Sequence, residues 1–315
     1  MRALVAGEKG FAYPGRIIMR KTVGSTTIAL AGLLVVLAGC SVVPITGRKQ
    51  LSFVPASLVT SMSLQQYDQV ISQSKLSTDA QATAMVKRVG EKIVQAVAEY
   101  AKTHSDKDPF AGYKWEFNLI DDPKTVNAFA MPGGKVVVYT GLLPLTQNET
   151  GLAVVLGHEI AHVFAGHGGE RLSESLLTQM GEVGLTAALQ KQPEQTKSLF
   201  ISAYGLGTQV GFLLPFSRVH ENEADHLGLI FMAMAGYDPH EAVGFWERMG
   251  ASSKDQSKPP EFLSTHPADA TRIKNIQSLI PEAMEYYHPA GSPAQNPPAG
   301  QSKPPAPSIL PPTIK

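Results

Sequence analysis

Residues 158–162 read His-Glu-Ile-Ala-His. On a helix of 3.6 residues per turn the two histidines stack on one face, with Glu159 rotated from them by about 100°. Two imidazoles one turn apart with a carboxylate beside them form the arrangement that holds a hydrolytic zinc ion and keeps a base within reach of water at its open corner. A pentapeptide also arises by chance, and two core histidines satisfied by hydrogen bonds would produce the same letters, so the flanking sequence has to decide. Upstream, Thr146 and Asn148 can cap a helix with Glu149 in its first turn, and Leu152, Val155, Leu156, Ile160 and Val163 recur at helical spacing. The spacing predicts a buried helix that carries the motif.

A catalytic zinc takes three protein ligands and leaves one position open. A third histidine six residues beyond His162 would fall on Gly168, and His167 misses that register by one, which suits a surface or ligand-orienting histidine. The better source is the segment Ser217–Asp225, which opens a helix running to a glycine stop at Gly236. There Glu221 and Asp225 share a face at i, i+4, so Glu221 can bind the metal while Asp225 accepts an imidazole N–H from a ligand histidine. Glu223 points to the other side. The same run also reads as a solvated acidic helix start favoured by the helix dipole. Leu227, Ile230 and Met234 compete with Leu229 and Met232 for the buried face, and periodicity leaves that open.

With Ser217-Arg218 and Glu221-x-x-x-Asp225 following His158–His162 by some sixty residues, the chain resembles the HtpX, Ste24 and BepA/LoiP family of zinc metallopeptidases, which are gluzincins. Asn127-Ala128-Phe129-Ala130-Met131-Pro132-Gly133-Gly134 before the motif helix and Thr265-His266-Pro267 with Arg272 after it add to the likeness, as does Val43-Pro44-Ile45-Thr46-Gly47-Arg48, which is similar to the opening of periplasmic lipoprotein members. The resemblance covers roughly residues 41–287. It implies an α+β fold: a mainly helical zincin-like domain with a small β-sheet whose edge strand lies above the HExxH helix. It also implies one zinc per chain held by His158, His162 and Glu221, with Glu159 as catalytic base and Asp225 orienting a ligand. His266 and Arg272 are the candidates for an oxyanion donor, and His266 alternatively for a fourth ligand that leaves the enzyme latent. Residues 127–134 are the expected substrate-binding edge, which would take an extended peptide as an added strand whatever its sequence.

The N-terminus speaks to location. Arg20 and Lys21 precede an apolar stretch, Ile28–Ala38, too short and glycine-broken for a membrane span, and it ends in Leu37-Ala38-Gly39-Cys40. This is the pattern of a bacterial lipoprotein signal: residues 1–39 are the expected signal peptide, with Met19 the better start, and Cys40 is the expected lipidated residue. Several acyl chains at about 0.8 kcal/mol per buried methylene make a durable anchor. Ser41 rather than Asp after the cysteine favours the outer membrane, periplasmic side. Cys40 is the only cysteine, so no intrachain disulfide forms.

Composition agrees with one enzyme domain: 315 residues with 43% hydrophobic content suffice for a full core. The zero net charge hides five bases and one acid in residues 1–40, leaving 22 bases against 26 acids beyond, and no basic stripe suggests nucleic acid. Thr78 and Gln81 form a capping-box pattern ahead of a helix with Met85, Val89, Ile93 and Val97 on one side. Trp115–Ile120, Val126–Met131 and Lys135–Thr140 read as strands. Ser198–Phe216 is uncharged and reads as a core helix rather than a span, because a span would interrupt the domain between the second and third ligands. Residues 288–315 are Pro-rich and read as a disordered tail. His104, His220, His226, His240 and His288 receive no role.

Two functions fit. One is a periplasmic endopeptidase that clears misfolded or unassembled envelope proteins. The other is a chaperone or assembly factor that uses the same groove with little or latent proteolysis, beside the outer-membrane assembly machinery.

Overall fold

A computed structural model of the chain describes residues 40–43, 46–104, 108–176, 218–253 and 260–289. The expected signal peptide, nearly all of the Pro-rich tail and the uncharged stretch Ser198–Phe216 lie outside the described residues. The hairpin β1 (Cys40–Val42) and β2 (Lys49–Leu51) leads into α1 (Ala56–Gln73) and α2 (Ala80–His104). Strands β3 (Glu116–Ile120), β4 (Ala128–Met131) and β5 (Lys135–Tyr139) follow, then α3 (Leu143–Thr146) and α4 (Glu149–Ala165). Residues 167–176 are helical (α5). Beyond the gap come α6 (Arg218–Met234), α7 (Glu241–Ser252), α8 (Glu261–Thr265) and α9 (Ala270–Met284). This is the mainly helical α+β arrangement with a small sheet that the sequence implied.

The sheet has the order β3-β5-β4, with β3 parallel and β4 antiparallel to β5. Its side chains alternate as a pleated strand requires. Ala128, Ala130, Val136, Val138, Phe117 and Leu119 join the main core. Phe129, Met131, Val137 and Ile120 point the other way, where Tyr67, Val70 and Ile71 of α1 cover them. Both faces are thus buried, which explains why β4 and β5 read as nearly unbroken apolar runs. The turn between them places Gly133 and Gly134 at φ 91° and 82°, a region that favours glycine. Strand β4 is one edge of the sheet, and it packs against α4.

Helix α2 opens one residue later than the capping-box pattern indicates. Asp79, not Thr78, is the cap: its Oδ1 accepts from the backbone N–H of Gln81 and of Ala82, both at 2.9 Å. A carboxylate there both satisfies two orphan donors and meets the positive end of the helix dipole, which a threonine hydroxyl does less well. Val89, Ile93 and Val97 are fully buried, as their spacing predicts.

Helix α4 begins where expected. Asn148 Oδ1 accepts from Thr150 N at 2.8 Å and Gly151 N at 3.0 Å. It ends at Gly166, whose φ of 72° lets its N–H turn back to Val163 O at 3.1 Å. Every residue from Gly151 to Ala165 is buried, so the helix is the axis of the domain. Its largest partner is α6, which is itself covered by α2 and α9 on other sides. That wrapping resolves the ambiguous periodicity of α6: Leu227, Leu229, Ile230, Phe231 and Met232 are all buried.

The two helices meet at glycines. A Cβ on Gly157 would lie 2.9 Å from Gly228 O, and one on Gly228 would lie 2.9 Å from His158 N and 3.0 Å from Gly157 C. These are backbone atoms that cannot rotate aside, so the crossing needs both positions bare. Replacing Gly228 by Ala is therefore expected to cost about 1–3 kcal/mol by overpacking. Chemical denaturation of the two proteins measures it, and an unchanged midpoint would refute the tight crossing.

Candidate metal centre

The glycine crossing puts the motif face of α4 against the first turns of α6. His158, His162, Glu221 and, from the loop after α8, His266 each present one donor atom, all within 4.8 Å of one another. His158 Nε2 lies 3.0 Å from His162 Nε2 and 3.2 Å from His266 Nδ1. Glu221 reaches both helical imidazoles at 3.4 Å and His266 Nδ1 at 2.9 Å. Tetrahedral bonds of about 2.05 Å set neighbouring donors about 3.3 Å apart, and the pairwise contacts of 2.9–3.4 Å, with Glu221 using Oε2 towards His158 and Oε1 towards His162 and His266, lie close to that spacing.

Electrostatics point the same way. Glu159, Glu221 and Asp225 are buried alongside one guanidinium, that of Arg272. Ionised, the three carboxylates leave two negative charges uncompensated in a medium that penalises them, and a divalent cation supplies the balance. Without the ion, the chain adapts by shifting protons. Burial alone would push the His158 imidazole down, but Glu221 and Asp225 beside it hold its pKa up at about 9. Burial and the neighbouring His158 hold His162 well below its usual range, because two imidazoles 3.0 Å apart do not both carry a proton. Burial raises Glu159. Burial also opposes the charge on Glu221, yet His266, Arg272 and His158 together hold it well below the ordinary carboxylate range.

The supports are as specific as the donors. Asp225 Oδ1 lies 3.0 Å from His158 Nδ1, the relation expected from the i, i+4 spacing, so His158 donates there and turns its Nε2 to the centre, where a metal would displace the second proton. Arg272 grips both oxygens of Asp225, at 2.8 and 2.7 Å, and its Nη1 lies 2.8 Å from Glu221 Oε2. Its guanidinium stacks on Trp246, 3.5 Å above the ring centroid. Arg272 therefore sits behind His158, engaged with carboxylates, rather than over the cleft. His266 does line the cleft and stands among the donors.

Glu159 faces the cleft beside His162. Its Oε1 is buried with no hydrogen-bond partner, and His266 Nε2 lies 3.4 Å from it. A buried carboxylate oxygen left without a donor is costly unless something else binds there, and it is aimed where a base must be. The opposite wall of the cleft is Asn127–Ala130, with Thr265 and His266 closing the end. Of the expected edge residues, Asn127 to Ala130 thus line the cleft, while Met131 packs in the cluster under α1 and Pro132, Gly133 and Gly134 form the turn beyond it.

Sequence reasoning missed a second buried polar cluster. Of the two places expected for His167 the structure gives the ligand-orienting one: it is fully buried, and its ring joins His162 Nδ1 at 2.7 Å to Glu223 Oε2 at 2.8 Å. Glu223 does point away from the donor atoms, but into protein, where Arg48 and Thr46 bind it. His220 bonds Glu170 at 2.9 Å. Arg48 stood in the N-terminal motif without a role, and nothing local indicates that it crosses to α6.

Residues 77–280 match the model of peptidase family M48. The chain is 36% identical over 245 residues to the mitochondrial metalloendopeptidase OMA1 of Schizosaccharomyces pombe, covering 77% of this chain and 67% of that one. It is 31% identical over 272 residues to OMA1 of Saccharomyces cerevisiae, covering 81% and 75%. It is also 31% identical over 228 residues to the beta-barrel assembly-enhancing protease of Yersinia pestis, covering 71% of this chain and 44% of that protein. The matched segment holds every one of the converging donors together with Glu159, Asp225 and Arg272, and the chain belongs to peptidase family M48, a family of metal-dependent peptidases.

Proposed function

We propose that the chain is a zinc endopeptidase, anchored through Cys40 to the periplasmic face of a bacterial outer membrane, that cleaves misfolded or unassembled envelope proteins. The observation that carries the reading is the cleft itself: three buried donors, His158, His162 and Glu221, beside a carboxylate oxygen with no partner, under the edge of a sheet. Two imidazoles and a carboxylate are the ligand chemistry of catalytic zinc. When bound, zinc would lower the pKa of water from about 15.7 to about 7 and polarise a carbonyl. Glu159 takes the proton from the attacking water and returns it to the leaving amine, a role that its raised pKa suits. Strand β4 receives the substrate backbone as an added strand, so that unfolded chains of many sequences bind alike.

The lipoprotein pattern at Leu37-Ala38-Gly39-Cys40 supports the anchor, and the name of the Yersinia relative, a beta-barrel assembly-enhancing protease, is compatible with an outer-membrane setting. That name also favours the second reading, an assembly factor whose groove mainly holds clients. A holdase has no need of Glu159, which supports the peptidase.

His266 holds the fourth donor position, and Phe262 N, four residues before it, bonds Val126 O at the entry to β4 at 3.1 Å. We read this as a latent form: with four protein donors engaged no position is left for water, and the segment 262–266 has to withdraw before substrate reaches the strand edge.

Three outcomes are expected. Glu159→Gln retains zinc and the folded state but loses cleavage of an unfolded protein by about a hundredfold or more; cellular function surviving in that variant would favour the holding role. His266→Ala raises kcat/KM severalfold, since apparent activity scales with the competent fraction, whereas a fall would identify His266 as a transition-state donor. The third concerns pH. His158 of the metal-free site, with its pKa raised to about 9, keeps a proton that zinc has to displace. Zinc affinity therefore rises by about tenfold per unit from pH 7 towards pH 9 and then levels off, with about one proton released per ion, measurable by calorimetry in buffers of different ionisation enthalpy.

A further inference from the structure

The two helical imidazoles are held from behind in different ways. His158 gives its Nδ1 proton directly to Asp225, which Arg272 grips in turn. Behind His162, its Nδ1 meets another imidazole, His167 Nδ1, at 2.7 Å, and beyond that ring, 2.8 Å from His167 Nε2, lies a carboxylate, Glu223. Glu223 is secured by the chain's N-terminal segment: Arg48 Nε donates to its Oε2 at 2.7 Å, and Thr46 donates to its Oε1. The other face of the same guanidinium donates to both oxygens of Glu170, at 2.8 and 2.7 Å, and Glu170 also meets His220, whose ring stacks on His167 with centroids 4.4 Å apart. The turn that aims Arg48 is tied by Val43 N to Arg48 O at 2.8 Å and by Gly47, at φ 66°.

This line of contacts leaves little choice in where protons sit. Glu223, ionised between Arg48, Thr46 and His167, only accepts, so His167 Nε2 carries a hydrogen. A neutral His167 then has a bare Nδ1, and 2.7 Å away His162 Nδ1 must be the donor. His162 Nε2 is consequently bare and turned to the centre. The reverse order would put a hydrogen on His162 Nε2 and block the metal.

We infer that Thr46 and Arg48 form a clasp that sets the tautomer of His162 through Glu223 and His167, making the segment beside the Cys40 anchor a positioning element of the metal centre. Arg48 is the pivot, because one guanidinium spans Glu223 on α6 and Glu170 on α5. The inference rests on the zinc reading above, and its test separates the two.

Imidazole nitrogen-15 spectra of the full-length protein report the tautomers directly, with and without added zinc. The clasp requires hydrogen on His167 Nε2 and His162 Nδ1 in both states; His167 protonated at Nδ1 would overturn it. Zinc affinity from chelator competition is then compared for Arg48→Ala, His167→Ala and the double variant. Each single change is expected to weaken zinc by about tenfold to a hundredfold, the range for groups that orient a ligand. Because both act through one line of contacts, the double variant is expected to be within about twofold of the weaker single one. Affinities unchanged in the singles, or effects that multiply in the double, would refute the clasp. Should Arg48→Ala not fold, Arg48→Lys, which reaches one carboxylate but not both, carries the same comparison. If the natural protein bound no zinc, the peptidase reading would fail, and the metal-free spectra would still decide the clasp.

Discussion

Two helices bring their backbones into contact only where neither carries a side chain, and in this chain that place is the crossing of Gly157 on α4 with Gly228 on α6. His158 is the next residue on α4, while Asp225 and Glu221 lie one and two turns before the crossing on α6. The separation of the donor atoms is thus set by main chain rather than by flexible side chains. A methyl group at either glycine would move two donors away from the third, which is why a catalytic geometry can be built on a packing detail. Every other feature of the site, from the Asp225 support to the placement of Glu159 beneath β4, presupposes this approach.

Burying seven ionisable side chains, His158, Glu159, His162, Glu221, Asp225, His266 and Arg272, around one point is expensive. The protein meets the cost by giving nearly every one of them a partner of opposite sign or a complementary proton. Asp225 serves His158 and Arg272 at once, and Arg272 in turn serves Glu221 and lies on Trp246. Glu223 serves His167, Arg48 and Thr46. Two carboxylate oxygens lack a hydrogen-bond donor, Glu159 Oε1 and Glu221 Oε2, and of these Glu221 Oε2 still has the Arg272 guanidinium 2.8 Å away. Both oxygens belong to the cleft, where a bound ion or solvent would meet them, whereas Asp225 and Glu223 behind the imidazoles are fully engaged.

Much of this was legible from local pattern. The cap at Asn148 and the strands Val126–Met131 and Lys135–Thr140 on either side of Pro132-Gly133-Gly134 follow from short-range backbone preferences, which act within a few residues. The i, i+4 relation of Glu221 and Asp225 told which carboxylate could reach the metal and which could reach an imidazole. The start of α2 was misread because Thr78 and Asp79 are both good caps and only the competition for the same N–H groups distinguishes them. The burial of α6 was not legible at all, since a helix enclosed on several sides has no single apolar stripe.

By itself the sequence determined the chemistry available: which side chains can bind a metal, which can take a proton, and which helices present them. Spacing along a helix converts directly into direction, so those conclusions required no knowledge of the rest of the chain. What only the tertiary structure decided was company. That His167 is buried, that Glu223 serves it, and that Arg48 reaches both Glu223 and Glu170 are facts about residues separated by as many as 175 positions. No periodicity connects them, because they are neighbours only after the N-terminal hairpin has packed against helices made much later in the chain.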